Sequence, residues 1–77
     1  MNFDKELDAK GLSCPLPILK TKKSLNDLTS GQVLKVVATD PGILADAPAW
    51  ASMSRHDIIG AYSEGNRHHF WFRKLHD

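Results

Sequence analysis

The sequence is poor in cysteine, and this scarcity excludes several kinds of site. Cys14 is the only cysteine among 77 residues. A lone thiol cannot form an intramolecular disulfide, a CxxC redox pair or a zinc site built from cysteines. Whatever chemistry Cys14 performs, it performs alone or with a partner molecule.

Long hydrophobic runs and an excess of one charge are also missing. No apolar stretch approaches the roughly 20 residues of a membrane-spanning helix, and residues 1–7 are charged and lack the apolar centre of a signal peptide. We therefore expect a cytoplasmic protein with no membrane partner. The 10 basic and 9 acidic side chains give a net charge of +1, which argues against direct nucleic-acid binding.

What is present is the composition of a small folded domain. Hydrophobic residues make up 42% and charged residues 25% of the chain, as in ordinary globular proteins, and this excludes disorder. Because a domain usually needs on the order of 100 residues, we expect residues 1–77 to form a single domain with a small core. A functional site would then lie on the surface or in a shallow cleft.

Hydrophobic periodicity predicts four strands and two helices. Strands are predicted at residues 6–9, 33–38, 58–62 and 69–74, and helices at residues 15–28 and 47–55, with a hairpin turn at residues 64–66. The order β-α-β-α-β-β predicts an α+β fold. We expect a two-layer α/β sandwich, with a mixed four-stranded sheet and two helices packed on one face.

Prolines mark the predicted start of each helix. Pro15 and Pro17 suit a first helical turn, where their missing N–H groups would be unpaired in any case. Asp46 is predicted to cap the second helix, with Pro48 in its first turn. The Asp-Pro-Gly sequence at residues 40–42 predicts a turn, and two further interpretations are that it shapes the cysteine loop or contacts a partner.

Cys14 directly precedes the first predicted helix. Unpaired amides and the positive end of the helix dipole favour an anion at such a position, which would lower the cysteine pKa below about 8.5. Gly11, Pro15 and Pro17 would fix the turn and present the side chain at the surface. The alternative is a small apolar residue packed under the sheet, as free cysteines often are. We interpret Cys14 as a candidate nucleophile.

The motif GLSCPLP at residues 11–17 resembles the signature of the TusA (SirA-like) sulfur-carrier family. Further family landmarks follow in the expected order between residues 7 and 74: Lys22, Leu25, Leu28, Gly31, the strand at residues 33–37, the Asp-Pro-Gly turn, Asp46, Pro48, His56 and residues 72–74. The resemblance implies the same βαβαββ fold. It also implies a sulfurtransferase whose Cys14 accepts sulfane sulfur as a persulfide and passes it to a partner cysteine, with no metal or organic cofactor.

The resemblance further implies two kinds of protein partner. The sulfur donor would be a cysteine desulfurase or a rhodanese-like protein, and the acceptor a DsrE-like or TusD-like protein, in tRNA thiolation or in sulfur oxidation. Members that serve tRNA thiolation commonly carry a basic residue before the cysteine and an acidic one between the prolines. Ser13 and Leu16 occupy those positions here, which favours the sulfur-oxidation or general-carrier branch. Candidate partner-binding residues are Lys20, Lys22, Lys23, Asp40 and Asp46.

Two other functions are compatible with the residues. In the first, the protein is a non-catalytic adaptor or regulator whose cysteine is incidental. In the second, it is a small RNA-binding module that uses exposed aromatic side chains. His68 and His69 would point to opposite faces of a strand, so a shared metal ion is not expected, and His56 has no assigned role. Either Trp71 or the pair Phe70 and Phe72 must face away from the helices.

Overall fold

The computed structural model describes residues 2–76, and it confirms the predicted α+β fold and its order of elements. The elements are β1 (Lys5–Ala9), α1 (Leu16–Asn26), β2 (Val33–Ala38), α2 (Ile43–Ser54), β3 (Asp57–Glu64) and β4 (Arg67–Arg73). The residues of β2 are those predicted, because a β-branched run bounded by turn residues is a strong strand signal. Within residues 2–76, no helix has the length and apolar character needed to cross a membrane.

The four strands form one mixed sheet in the order β1-β2-β4-β3. β1 runs parallel to β2, and β4 runs antiparallel to both of its neighbours. Since Ala9 lies opposite Ala38 at the ends of β1 and β2, the loops that follow these strands leave the same edge of the sheet side by side. This edge carries Cys14 and the Asp-Pro-Gly turn.

The core lies between the sheet and the two helices. Its largest fully buried side chains come from both layers: Leu34, Val36 and Phe72 from the sheet, and Thr21, Leu25 and Ile43 from the helices. Phe70 and Phe72 are both buried in this cluster. The strand alternation left open by the sequence is thus resolved, with Trp71 on the opposite face, where the Lys35 ammonium lies 5.6 Å from its ring.

The predicted start of α2 is wrong by one helical turn. The helix begins at Ile43 after Gly42, its N-cap residue, so Asp46 lies in the first turn and is not the cap. The Asp40 carbonyl accepts a hydrogen bond from the Ile43 N–H at 3.2 Å and so brings the Asp-Pro-Gly turn into the helix start. Pro48 consequently lies inside the helix, where it has no N–H to donate to the carbonyl four residues earlier.

The other boundaries differ by a few residues. α1 ends at Asn26, two residues before the predicted end, and Pro15 is its N-cap. β3 and β4 extend towards each other, so that only Gly65 and Asn66 separate them, and Gly65 has a φ of +60°. β3 also contains an irregularity between Ile58 and Gly60. A shift of this kind is how an edge strand changes its pairing register.

Candidate functional site

Cys14 is exposed in the loop that joins β1 to α1. The alternative of a cysteine packed under the sheet is therefore wrong. Gly11 opens the loop with a φ of +81°, and the Cys14–Pro15 peptide bond is cis. The left-handed φ is a conformation that glycine adopts without the steric cost of a Cβ atom.

Asp40 and Thr39, from the loop after β2, hold this cysteine loop in place. The Cys14 N–H donates to Asp40 Oδ2 at 2.6 Å, and the Gly11 N–H donates to Thr39 Oγ1 at 2.9 Å. The other Asp40 oxygen, Oδ1, accepts the Gly42 N–H at 3.2 Å. One carboxylate thus fixes both the backbone of the cysteine and the turn that faces it.

Asp46 reaches the sulfur itself. The Cys14 Sγ–H donates to Asp46 Oδ2 at 2.7 Å, although the two residues are 32 positions apart. Asp46 is half-buried in the first turn of α2, and the earlier start of that helix directs its carboxylate towards the thiol and away from a capping position. The direction of the sulfur is therefore set by α2, and the position of the cysteine backbone by the loop after β2.

The two carboxylates act against a thiolate. The hydrogen bond to Asp46 is the main cause that raises the pKa of Cys14 above its ordinary value, followed by desolvation and by the negative charges of Asp46 and Asp40. The expected lowering of this pKa by the helix start is wrong. Pro15 and Pro17 have no N–H, and the Leu16 N–H donates to the Ser13 carbonyl at 2.8 Å, so these three positions offer no free amide to the sulfur.

Gly42 lies where the loop after β2 faces the cysteine loop. A Cβ atom at this position would lie 3.5 Å from the Cys14 Cβ and 3.4 Å from Asp40 Oδ2. These are ordinary van der Waals distances, so the position admits an alanine beside the cysteine and the carboxylate that holds it.

The three predicted partner-binding lysines lie on the exposed side of α1. Lys20, Lys22 and Lys23 are exposed, and their ammonium groups make no ion pair with any residue in the described range 2–76. Lys22 lines a shallow pocket of about 460 Å³ together with Trp50 and Met53. Cys14 is not among the residues that line this pocket, so the pocket and the thiol are separate features of the surface.

The histidines are dispersed. His68 is buried and shares a 2.8 Å hydrogen bond with Ser63, whereas His69 packs against Tyr62 on the other face of the sheet. His56 stacks on His76 with ring centroids 4.4 Å apart. Across residues 2–76, no group of three His, Cys, Asp or Glu side chains is arranged to hold a metal ion.

The sequence identified Cys14, Gly11 and Asp40 but missed two contacts. No role is predicted for Thr39 from the sequence, and Asp46 is predicted to be a helix cap or a partner contact. The parallel pairing of β1 and β2 was the available signal for Thr39 and Asp40, because it brings the two following loops together. The contact between Asp46 and the sulfur depends on where α2 begins. The Asp-x-Pro pattern at residues 46–48 predicts a later helix start than the one observed.

One exposed thiol, held by the loop after β2 and by α2, defines a small βαβαββ sandwich that carries a cysteine at its surface. The family model described as sulfurtransferase TusA matches residues 5–74. The chain is 51% identical over 73 residues to the sulfur carrier protein TusA of Allochromatium vinosum, covering 95% of this chain and 96% of that protein. It is 39% identical over 74 residues to the sulfur carrier protein TusA of Pseudomonas entomophila, covering 96% and 92%.

The fold has a counterpart among solved structures. A SirA-like protein from Desulfitobacterium hafniense superposes with a TM-score of 0.81 over 94% of this chain and 99% of its own, at 19% sequence identity. The chain belongs to the TusA family, as the resemblance of its cysteine motif indicated.

Proposed function

We propose that the protein is a sulfur carrier, a sulfurtransferase that accepts sulfane sulfur as a persulfide on Cys14 and passes it to a partner cysteine. The observation that carries this proposal is the exposed Cys14 thiol, whose backbone and sulfur are each held by a separate carboxylate. Its family supports the same role, since the relatives from Allochromatium vinosum and Pseudomonas entomophila are named sulfur carriers.

The chemistry needs little beyond the thiol. A cysteine sulfur attacks the outer sulfur of a donor persulfide, and the resulting persulfide is then attacked by the cysteine of an acceptor. Exposure of Cys14 serves both steps because donor and acceptor must reach the same atom. The protein partners that fit are a cysteine desulfurase or rhodanese-like donor and a DsrE-like or TusD-like acceptor.

The surface near the thiol combines exposed apolar side chains with positive charges, which favours a partner surface that is both apolar and acidic. Leu16 is 44% exposed and Leu44 is 47% exposed, and each lies two residues from a residue of the site. Lys20 and Lys23 add positive charge on α1, which would attract an acidic partner surface. The uncharged Ser13 and Leu16 favour the sulfur-oxidation or general-carrier route over tRNA thiolation.

Intact-mass measurement tests the carrier function. The protein is incubated with a cysteine desulfurase and cysteine, and separately with thiosulfate or polysulfide, beside the matched variant Cys14→Ser. We expect a gain of sulfur that reductant removes and that Cys14→Ser does not show. The preferred donor will distinguish the two routes, and a protein that gains no sulfur from any donor would support the adaptor interpretation.

The lysine surface is tested in the same assay. Charge reversal of Lys20 and Lys23 to Glu should slow loading by the desulfurase, because it removes the attraction to an acidic donor, and should leave loading by polysulfide unchanged. Unchanged loading by both donors would show that these lysines do not contact the donor. Arg73→Glu is the control, since Arg73 is exposed and lies opposite Val33 and Asp57, at the end of the sheet away from the cysteine.

A further inference from the structure

The charges around the Cys14 sulfur favour its thiol form over its persulfide form. The Sγ–H donates to Asp46 Oδ2 at 2.7 Å, and Asp40 Oδ2 lies 2.6 Å from the Cys14 backbone nitrogen. Within the described residues, the charged groups that act on this sulfur are the carboxylates of Asp46, from α2, and Asp40, from the loop after β2. The lysines of α1 are not among them.

Loading with sulfur changes what Asp46 faces. A thiol has a proton to donate to the Asp46 carboxylate. A persulfide is a stronger acid than its parent thiol, so at neutral pH it is an anion with no proton to donate. Loading therefore replaces a charge-assisted hydrogen bond with a negative sulfur close to two negative carboxylates, and both changes disfavour the loaded form.

We propose that Asp46 is a positioning residue that sets the sulfur-transfer equilibrium of Cys14, stabilising the unloaded thiol and weakening the hold on the persulfide. The inference rests on the proposed carrier function and deepens it. A carrier must release its sulfur as readily as it accepts it, and a carboxylate on the cysteine sulfur favours release to an acceptor whose own site lacks one. Asp40 acts in the same direction, but it also holds the loop backbone, so Asp46 is the residue to test.

The transfer step balances without an oxidant or a reductant. The Cys14 S–H bond breaks, and the sulfur forms a bond to the outer sulfur of the donor persulfide. The sulfur–sulfur bond of the donor breaks, and its electron pair leaves on the donor cysteine, which takes up the proton. The products are a donor thiol and a persulfide anion on Cys14. The proton has moved from Cys14 to the donor cysteine, and the negative charge has moved from the donor persulfide anion to Cys14.

The first measurement is the rate of Cys14 alkylation by iodoacetamide as a function of pH, which requires no sulfur transfer. Asp46→Asn keeps the shape of the side chain and removes its charge. Asp57→Asn is the matched control, since Asp57 lies opposite Arg73 at the other end of the sheet from the site. We expect Asp46→Asn to lower the thiol pKa and to raise the alkylation rate at neutral pH about tenfold, the order expected when a hydrogen bond to a charged group is lost.

The control should react like the unsubstituted protein, and circular dichroism should show all three proteins equally folded. A rate for Asp46→Asn within about twofold of the unsubstituted protein would overturn the proposal, because the carboxylate would then exert no hold on the thiol.

The second measurement is the loading equilibrium with glutathione persulfide and glutathione, followed by intact mass. We expect the equilibrium constant for loading to be roughly tenfold higher in Asp46→Asn than in the other two proteins, since the same charge acts on the persulfide anion. Equal loading of all three proteins would overturn the role of Asp46 and leave the carrier function standing. Normal alkylation with no sulfur on Cys14 in any protein would overturn the carrier function, and the proposed equilibrium with it.

Discussion

At the scale of single residues, Asp40 joins its own loop, after β2, to the loop of Cys14, which lies 26 positions earlier in the chain. It accepts the N–H groups of Cys14 and Gly42, one on each oxygen. A side chain that satisfies two loop backbones makes the geometry of the cysteine depend on the neighbouring loop. The loop after β1 can hold this geometry only if its own backbone reaches an unusual conformation at Gly11.

Replacing Gly11 with alanine should therefore weaken the fold. Gly11 has a φ of +81°, and an alanine in this region is strained, so we expect Gly11→Ala to lower the free energy of unfolding by about 1 kcal/mol. Gly42→Ala is the matched control, because Gly42 has a φ of −57° and its new Cβ would make contacts at 3.4 and 3.5 Å. Denaturant titration measures both, and equal losses would contradict the role of φ.

Residue-level prediction from the sequence succeeded where one short motif carries the information. Cys14, Gly11 and the two prolines were found together because they lie within seven residues of each other. The hydrogen bond between Cys14 and Asp46 was not predicted. It joins residues 32 positions apart, and it depends on a helix phase that no local pattern fixes.

At the scale of elements, the residue at which α2 begins determines which group the Asp46 carboxylate contacts. The Asp-x-Pro pattern predicts a cap at Asp46, and such a cap would use the carboxylate on the backbone of its own helix. The helix instead begins at Ile43, and the Asp46 N–H donates to the Gly42 carbonyl at 3.0 Å. The local capping preference was overridden by the turn before it, which leaves the Asp46 side chain available to the thiol.

Residues 75 and 76 are hydrogen-bonded to His56 and Ser54, at the end of α2. The Leu75 N–H donates to His56 Nδ1 at 3.2 Å, and His76 Nε2 lies 2.8 Å from the Ser54 carbonyl oxygen. Burial, with the positive charges of His76 and Lys74, lowers the pKa of His56 below its ordinary value of 6.5. The fold therefore favours neutral His56, whose Nδ1 accepts the Leu75 hydrogen bond.

This linkage predicts a loss of stability in acid. Because the pKa of His56 is lower in the folded than in the unfolded chain, its contribution is complete above 6.5 and falls as the pH drops below 6.5 towards the folded value. His56→Gln removes the titration, so the difference in unfolding free energy between the two proteins should decrease over that window. Denaturant titrations at several pH values measure it, and a difference independent of pH would contradict the linkage.

At the scale of the whole molecule, one small core supports both layers. Phe72 has no exposed surface and contacts the Trp50 ring edge to face, with centroids 5.7 Å apart. It thereby links the central strand β4 to α2, the helix that carries Asp46. The position of Asp46, which accepts the hydrogen bond of the thiol, thus depends on packing against this central strand.

Truncation of this side chain should be severe for so small a protein. We expect Phe72→Ala to lower the free energy of unfolding by about 3–5 kcal/mol, a large part of the total for a domain of this size. Met53→Ala is the control, since Met53 is 84% exposed and its loss should change stability by less than about 0.5 kcal/mol. Chemical denaturation distinguishes them, and similar values would place the core elsewhere.

The strand order has a consequence for the chain during its synthesis. Within residues 2–76, β4 comes last of the strands in sequence, yet it lies between β2 and β3 and pairs with both. Until residues 67–73 have left the ribosome, β3 has no neighbouring strand and the core lacks Phe70 and Phe72. The cysteine and the aspartates that hold it are translated long before the strand that completes their scaffold, so a nascent chain carries its thiol without a finished fold around it.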